Sequence, residues 1–206
     1  MTTSDVWHIW DNSECEGTQD CPPRCPRFFD KRGEPMLVRE FRSGDYDPLL
    51  EMYTSLEAAD QTMGVPPQKT AALRQWLNHI LTDGWNLIAA HSDRIVGHAA
   101  VTPKSEDEPE FVIFVHRDYR DRGIGTELVK QVLAYAETME HRNIVLDVAR
   151  TNERAINVYE SLGFDIVSET KMHAQMRMPL RKPDVRAFQR PPANRRDAQS
   201  QLCDDN

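Results

Sequence analysis

The stretch Phe111 to Gly125, FVIFVHRDYRDRGIG, restricts the possible folds more than any other part of the chain. Phe111-Val112-Ile113-Phe114-Val115 is an unbroken apolar run with β-branched residues, the pattern of a strand buried on both faces. After a polar turn, Ile124, Leu128, Val132, Tyr135, Ala136 and Met139 recur at three- and four-residue steps and form one apolar helical stripe. A strand thus feeds a helix N-terminus through Arg120, Arg122, Gly123 and Gly125. The first turn of a helix carries backbone N–H groups without partners and the positive end of the macrodipole, so it seats a phosphate. Glycine lets a bulky anion approach that backbone closely. No Gly-Lys-Ser/Thr follows, as a Walker loop requires. The turn also lacks the further glycine and the downstream acid of a dinucleotide fingerprint.

Arg120-x-x-Gly123-x-Gly125 resembles the acyl-CoA signature of the GCN5-related N-acetyltransferases, Gln/Arg-x-x-Gly-x-Gly/Ala. Downstream, Asn152-x-x-Ala155-x-x-x-Tyr159-x-x-x-Gly163-Phe164 resembles the second signature of the same family, in the form found in ribosomal-protein N-terminal acetyltransferases. The motifs stand in the family's order, with a helix and a strand between them. The elements agree as well. Met36–Phe41 reads as a strand, followed by a helix over roughly 46–58 that Asp45 can cap. Gly64-Val65-Pro66-Pro67 breaks the chain before a second helix, Gln68–Leu81. Strands Leu87–His91 and Arg94–Thr102 precede the central strand, and Gly97 marks a bulge or a close backbone approach. Asn143–Val148, Ile166–Lys171 and Ala174–Met178 complete the strands, and Gly163 ends the last helix. The fold class is α/β, a mixed central β-sheet of the GNAT type flanked by helices on both faces.

The resemblance implies roles for particular residues. Ile113, Phe114 and Val115 would run beside the pantetheine arm, with a backbone N–H near Val115 polarising the thioester carbonyl. Arg120, Asp121, Arg122, Gly123, Ile124, Gly125 and Thr126 would cradle the pyrophosphate. Asn152 would bond the co-substrate near its thiol end, and Tyr159 would protonate the departing thiolate. The two early helices would border the acceptor pocket, placing Tyr53, Trp76 and Met63 in its wall or in the core.

An amine attacks a thioester only as the free base, while ammonium pKa values lie near 8 to 10, so a base or a water relay is needed. In the ribosomal-protein enzymes a glutamate twelve residues ahead of the tyrosine serves. Here that spacing holds Asp147, a carboxylate that interrupts an apolar strand. The shorter aspartate, with Arg150 where alanine is usual, points to a water-relayed base. Glu110 at the mouth of the central strand competes for the role, and Asp147 paired structurally with an arginine is the other reading. His98 and His116 read as structural.

The composition fits one sizeable domain. The chain has 206 residues, 39% hydrophobic and 28% charged, with a net charge of −8, which argues against a nucleic-acid binder held by a positive field. No apolar run is long enough to span a bilayer, and the N-terminus lacks a secretory pattern, so a cytoplasmic protein without membrane partners is expected. Residues 1–35 form a Cys/Pro-rich extension, 36–180 the acetyltransferase domain and 181–206 a flexible charged tail. Within the extension Cys15, Cys21 and Cys25 either bind a structural zinc ion, with His8 or Cys203 as fourth ligand, or remain reduced. The expected activity is acetyl transfer from acetyl-CoA to a primary amine in a ternary complex, by a monomer or homodimer. The acceptor is a protein N-terminus or lysine, or a small molecule. The alternative is a non-catalytic acyl-CoA-binding or interaction module.

Overall fold

A computed structural model describes residues 11–56 and 66–195. In chain order the elements are β1 (Arg27–Phe29), β2 (Pro35–Glu40), α1 (Tyr46–Thr54), α2 (Thr70–Asp83), β3 (Trp85–His91), β4 (Arg94–Thr102), β5 (Glu110–Val115), α3 (Ile124–Thr138), β6 (Asn143–Ala149), α4 (Glu153–Ser161), β7 (Asp165–Glu169), β8 (His173–Pro179) and α5 (Pro183–Phe188). Among the described residues eight strands make one mixed sheet in the order β1-β2-β3-β4-β5-β6-β8-β7.

The sheet is continuous on either side of its middle and nearly divided there. β4 and β5 pair antiparallel from Gly97 opposite Val115 to Thr102 opposite Glu110. β5 and β6 run parallel and share one register pair, Glu110 with Val145. Beyond that point they diverge, while β6 pairs with β8 along its whole length. The central strand is consequently less buried than its apolar run suggests. Phe111 is buried, but Val112 through Val115 are only half-buried, because no described strand covers their free edge.

Helices pack on both faces. On one face α3 lays Leu128, Val132 and Leu133 against Leu87, Ala99, Phe111 and Ile144. On the other, Leu49, Leu73, Leu77 and Ile80 of α1 and α2 cover Ile88, Ile95 and Ala100. Gly97 serves both purposes expected of it. The register shifts beside it, and a Cβ there would stand 2.9 Å from Leu128 Cδ1, so its lack of a side chain brings α3 close to β4.

Three local expectations require correction. Asp45 precedes α1 but does not cap it, because its carboxylate is engaged by Arg39 at 2.6 and 2.8 Å and by the Arg42 amide. Residues 181–195 do not form a flexible tail: α5 packs on α3, Val185 is fully buried, and the Gln189 amide reaches Ala134 O and Glu137. The N-terminal segment is likewise built into the domain. β1 pairs with β2, Arg24 forms a buried ion pair with Glu127 of α3, and Ala193 N–H donates to Cys15 O.

Cys15, Cys21 and Cys25 do not assemble a metal site among the described residues. Cys25 Sγ accepts from Asn12 at 3.0 Å, while Cys21 Sγ accepts from the Thr18 amide at 3.3 Å in a separate turn. Among the described residues no group of three or more His, Cys, Asp or Glu could hold a metal ion, and zinc is unsupported. His8 and Cys203 lie outside those residues, as does Met63.

Candidate active site

Where β5 and β6 part, a cleft of about 660 Å³ opens between them. Its far end is the N-terminus of α3. Gly123 takes a left-handed conformation, φ +85°, as does Asp121 at φ +64°, and this tight turn aims the helix into the cleft. Glu127 N–H donates to Gly123 O at 3.0 Å, closing the first helical bond. The amides of Ile124, Gly125 and Thr126 therefore have no helical acceptor. A Cβ on Gly125 would meet only Val115 Cγ2, at 3.7 Å, so packing does not require glycine there. A side chain would stand in the cleft and cover the amides, and an anion-sized group fits where it is missing.

The opposite end is closed by α4. Asn152 caps that helix, its Oδ1 accepting from Ala155 N–H at 3.2 Å, which leaves the amide nitrogen for the cleft. Gly163, at φ +95°, ends the helix with paired bonds from Phe164 N–H to Tyr159 O and from Gly163 N–H to Glu160 O, a Schellman arrangement. The Tyr159 ring packs edge-on to Phe111, centroids 5.9 Å apart, and against Phe164 at 5.6 Å. Burial pushes its hydroxyl well above the ordinary tyrosine value, so it stays protonated.

Ile113, Phe114, Val115, Arg120, Asp121, Gly123, Ile124, Gly125, Thr126, Asn152 and Tyr159 all line this cleft. Arg122 does not. Its side chain is only 8% exposed and is held by Asp30 in a buried ion pair, with the guanidinium 4.4 Å over the Tyr119 ring. Sequence alone gave no sign that Arg122 turns inward, because its partner stands 92 residues earlier. Two further cleft residues carry no motif signal, Lys31 and Arg154, the latter paired with Asp121 at 2.5 Å.

Glu110 and Asp147 lie outside the cleft lining but near each other. Phe111, Ile113 and Val115 face the α3 core, as do Leu146 and Val148. Alternation places Glu110 and Asp147 on the other face, with Val112 and Phe114, toward α1 and α2. Partial desolvation and the negative charge of Asp147 raise the Glu110 pKa. On that face Tyr53 is a core residue whose hydroxyl meets His98 Nδ1 at 2.7 Å. His98 Nε2 in turn meets Asn86 Oδ1 at 3.0 Å, and burial lowers the histidine pKa to about 3. His98 is thus a neutral, structural imidazole. Trp76 is half-buried and packs edge-on to Tyr53 and Phe114.

A profile described as the Acetyltransferase (GNAT) family matches residues 50–164, more than half of the chain. The chain belongs to the GNAT acetyltransferase family. Among curated GNAT relatives, it is 31% identical over 90 residues to the 5-NmdU N-acetyltransferase of Pseudomonas phage PaMx11, covering 42% of this chain and 61% of that protein. It is 32% identical over 80 residues to the ribosomal protein bS18-alanine N-acetyltransferase of Salmonella typhimurium, covering 39% of this chain and 54% of the relative. The chain thus spans between half and two thirds of the length of these relatives. Among solved structures the GNAT domain of S. lividans PAT superposes with a TM-score of 0.64 at 15% identity, over 74% of this chain and 95% of that one, which shows a shared fold. The segments outside residues 50–164, which contribute Asp30 and Lys31, are not part of the profile match. Among the described residues no helix is long and apolar enough to cross a membrane.

Proposed function

We propose that this GNAT protein transfers the acetyl group of acetyl-CoA to a primary amine by direct attack in a ternary complex. The observation that carries the reading is the single β5–β6 register pair, which leaves a slot between helix amides without a helical acceptor at one end and a buried phenol at the other. A diphosphate on the amides of Ile124 to Thr126 would run the pantetheine arm along the free edge of Ile113 to Val115. The thioester then reaches the Asn152 and Tyr159 end.

The amine approaches from the α1 and α2 face, where Glu110 and Asp147 stand. Burial and the Asp147 charge raise the Glu110 pKa, which makes its carboxylate a stronger base for taking the ammonium proton through water. The free amine forms the C–N bond, the C–S bond breaks, and the amine's second proton leaves to solvent. Coenzyme A departs as a thiolate, whose thiol has a pKa of about 8.5 by analogy with cysteine. Because the Tyr159 hydroxyl lies well above that, full transfer to sulfur is uphill. Tyr159 acts first as a hydrogen-bond donor to the leaving thiolate, with net protonation completed from solvent. The chain's similarity to enzymes named as N-acetyltransferases of a ribosomal-protein alanine and of 5-NmdU supports an amine acceptor and leaves its class open.

The test is release of CoA thiol from acetyl-CoA against a panel of N-terminal peptides, lysine peptides and small amines, with wild type and Tyr159→Phe. Phenylalanine keeps the contacts to Phe111 and Phe164, so the variant should fold and bind CoA within about twofold of wild type. Its kcat should fall on the order of a hundredfold, the lower range for losing one hydrogen-bond donor to developing negative charge. CoA binding without turnover on any amine would favour a non-catalytic acyl-CoA-binding module.

A further inference from the structure

The diphosphate ledge has a wall that comes from outside both sequence motifs. The β1–β2 hairpin turn is organised on Asp30: its Oδ1 accepts from the amides of Arg32 and Glu34, each at 2.9 Å, and Gly33 N–H donates to Asp30 O at 2.9 Å. The other carboxylate oxygen holds the Arg122 side chain, and Lys31 N–H donates to Arg122 O at 3.0 Å. The turn is therefore fixed at two points to the residue that precedes Gly123. Fixed in this way, Lys31 lays its stem beside the helix N-terminus. A Cβ built on Gly123 would lie 3.7 Å from Lys31 Cγ and 3.8 Å from Cε.

The charges on the ledge make this position consequential. Arg122 is withdrawn into its pair with Asp30 and its stack on Tyr119, and Arg154 is paired with Asp121. Arg120 donates to Val115 O at 3.3 Å. Lys31 lines the same cleft, is exposed, and makes no ion pair among the described residues. An ammonium on a flexible stem beside helix amides without a helical acceptor supplies a point charge to a phosphate approaching them.

We propose that Lys31, delivered by the N-terminal hairpin, is a ligand of the acyl donor's diphosphate and stands in for the charge that Arg122 does not present. The inference rests on the acetyl-CoA reading of the cleft. It makes residues 27–34 part of the donor site, and the Asp30–Arg122 pair the bolt that holds them there.

Calorimetric titration of wild type, Lys31→Met and Lys31→Arg with CoA, dephospho-CoA and S-acetylpantetheine tests it. Lys31→Met keeps the stem and removes the charge at an exposed site, so the fold should be retained, as unchanged melting would verify. The expected result is a loss of about tenfold in affinity for both CoA and dephospho-CoA, the scale of one charge-assisted contact, with S-acetylpantetheine unaffected and Lys31→Arg near wild type. Wild-type affinity for CoA in Lys31→Met overturns the assignment while leaving the cleft reading intact. A loss seen for CoA but not dephospho-CoA also overturns it, by moving the contact to the 3′-phosphate. Failure of wild type itself to bind CoA overturns the acetyl-CoA reading and this inference together.

Discussion

Replacing Asp30 by alanine should destabilise the protein far more than its place in a short surface turn suggests. The Asp30 and Arg122 side chains are 0% and 8% exposed, so the variant leaves a guanidinium beneath the turn without its carboxylate. Breaking a buried pair by removing one partner costs about 3–5 kcal/mol. The turn lies at the edge of the domain and can relax, which favours the lower end, about 3 kcal/mol. For a chain of this size each kcal/mol shifts Tm by about 2–4 °C, so thermal melting should fall by roughly 6–12 °C. Asp30→Ala/Arg122→Met provides the control, because removing both partners spares the cost of a stranded charge. It should recover most of the loss.

The pH dependence follows from the same pair. Burial pushes the Asp30 carboxyl up, but hydrogen bonds from the Glu34 amide and the Arg122 guanidinium outweigh it and hold the group below its ordinary value. A depressed folded pKa contributes stability that is present above the unfolded value, about 3.9, and lost as pH falls through the folded one. The gap between wild type and Asp30→Ala should therefore be full at pH 7 and close in acid below about pH 4. A Tm change under about 2 °C at pH 7, or a double variant no better than the single, would refute the buried-pair reasoning and place the cost in the turn.

Asp147→Asn removes the charge that helps raise Glu110. If Glu110 is the base, the acid limb of the pH–rate profile moves to lower pH with the plateau retained, whereas a fall of the plateau at every pH makes Asp147 the base. Val185→Asp should undock α5 rather than bury a charge, limiting the cost to the lost apolar burial, about 2 kcal/mol. Limited proteolysis should then cut within residues 181–195, and protection equal to wild type would count against the packing of α5 on α3.

The motif-bearing half of the fold was legible because each element carries its own local signal. The apolar run of β5, the stripe of α3, the Asn152 cap and the Gly163 terminator are all read within a few residues. The opening between β5 and β6 was not readable in the same way, since an apolar strand looks alike whether its edge is paired or lines a cleft. Arg122 illustrates the same limit within a motif. Its spacing placed it among the phosphate residues, yet a carboxylate from the first hairpin claims it. Lys31 and α5 were missed for the complementary reason: short polar segments acquire their roles only from the helix they meet. Cys15, Cys21 and Cys25 show spacing without convergence: the Cys21 thiol is held within its own turn by the Thr18 amide, while the Cys25 thiol accepts from Asn12. Asp147, a charge in an apolar strand, stands close enough to Glu110 to help raise its pKa, after partial burial.

A crystal structure of the complex with coenzyme A would decide whether the slot between β5 and β6 holds the acyl donor. The diphosphate should lie on the amides of Ile124, Gly125 and Thr126, and the thiol between β5 and β6 within hydrogen-bonding reach of the Tyr159 hydroxyl. Coenzyme A bound elsewhere, or an unfilled cleft at saturating ligand, would contradict it.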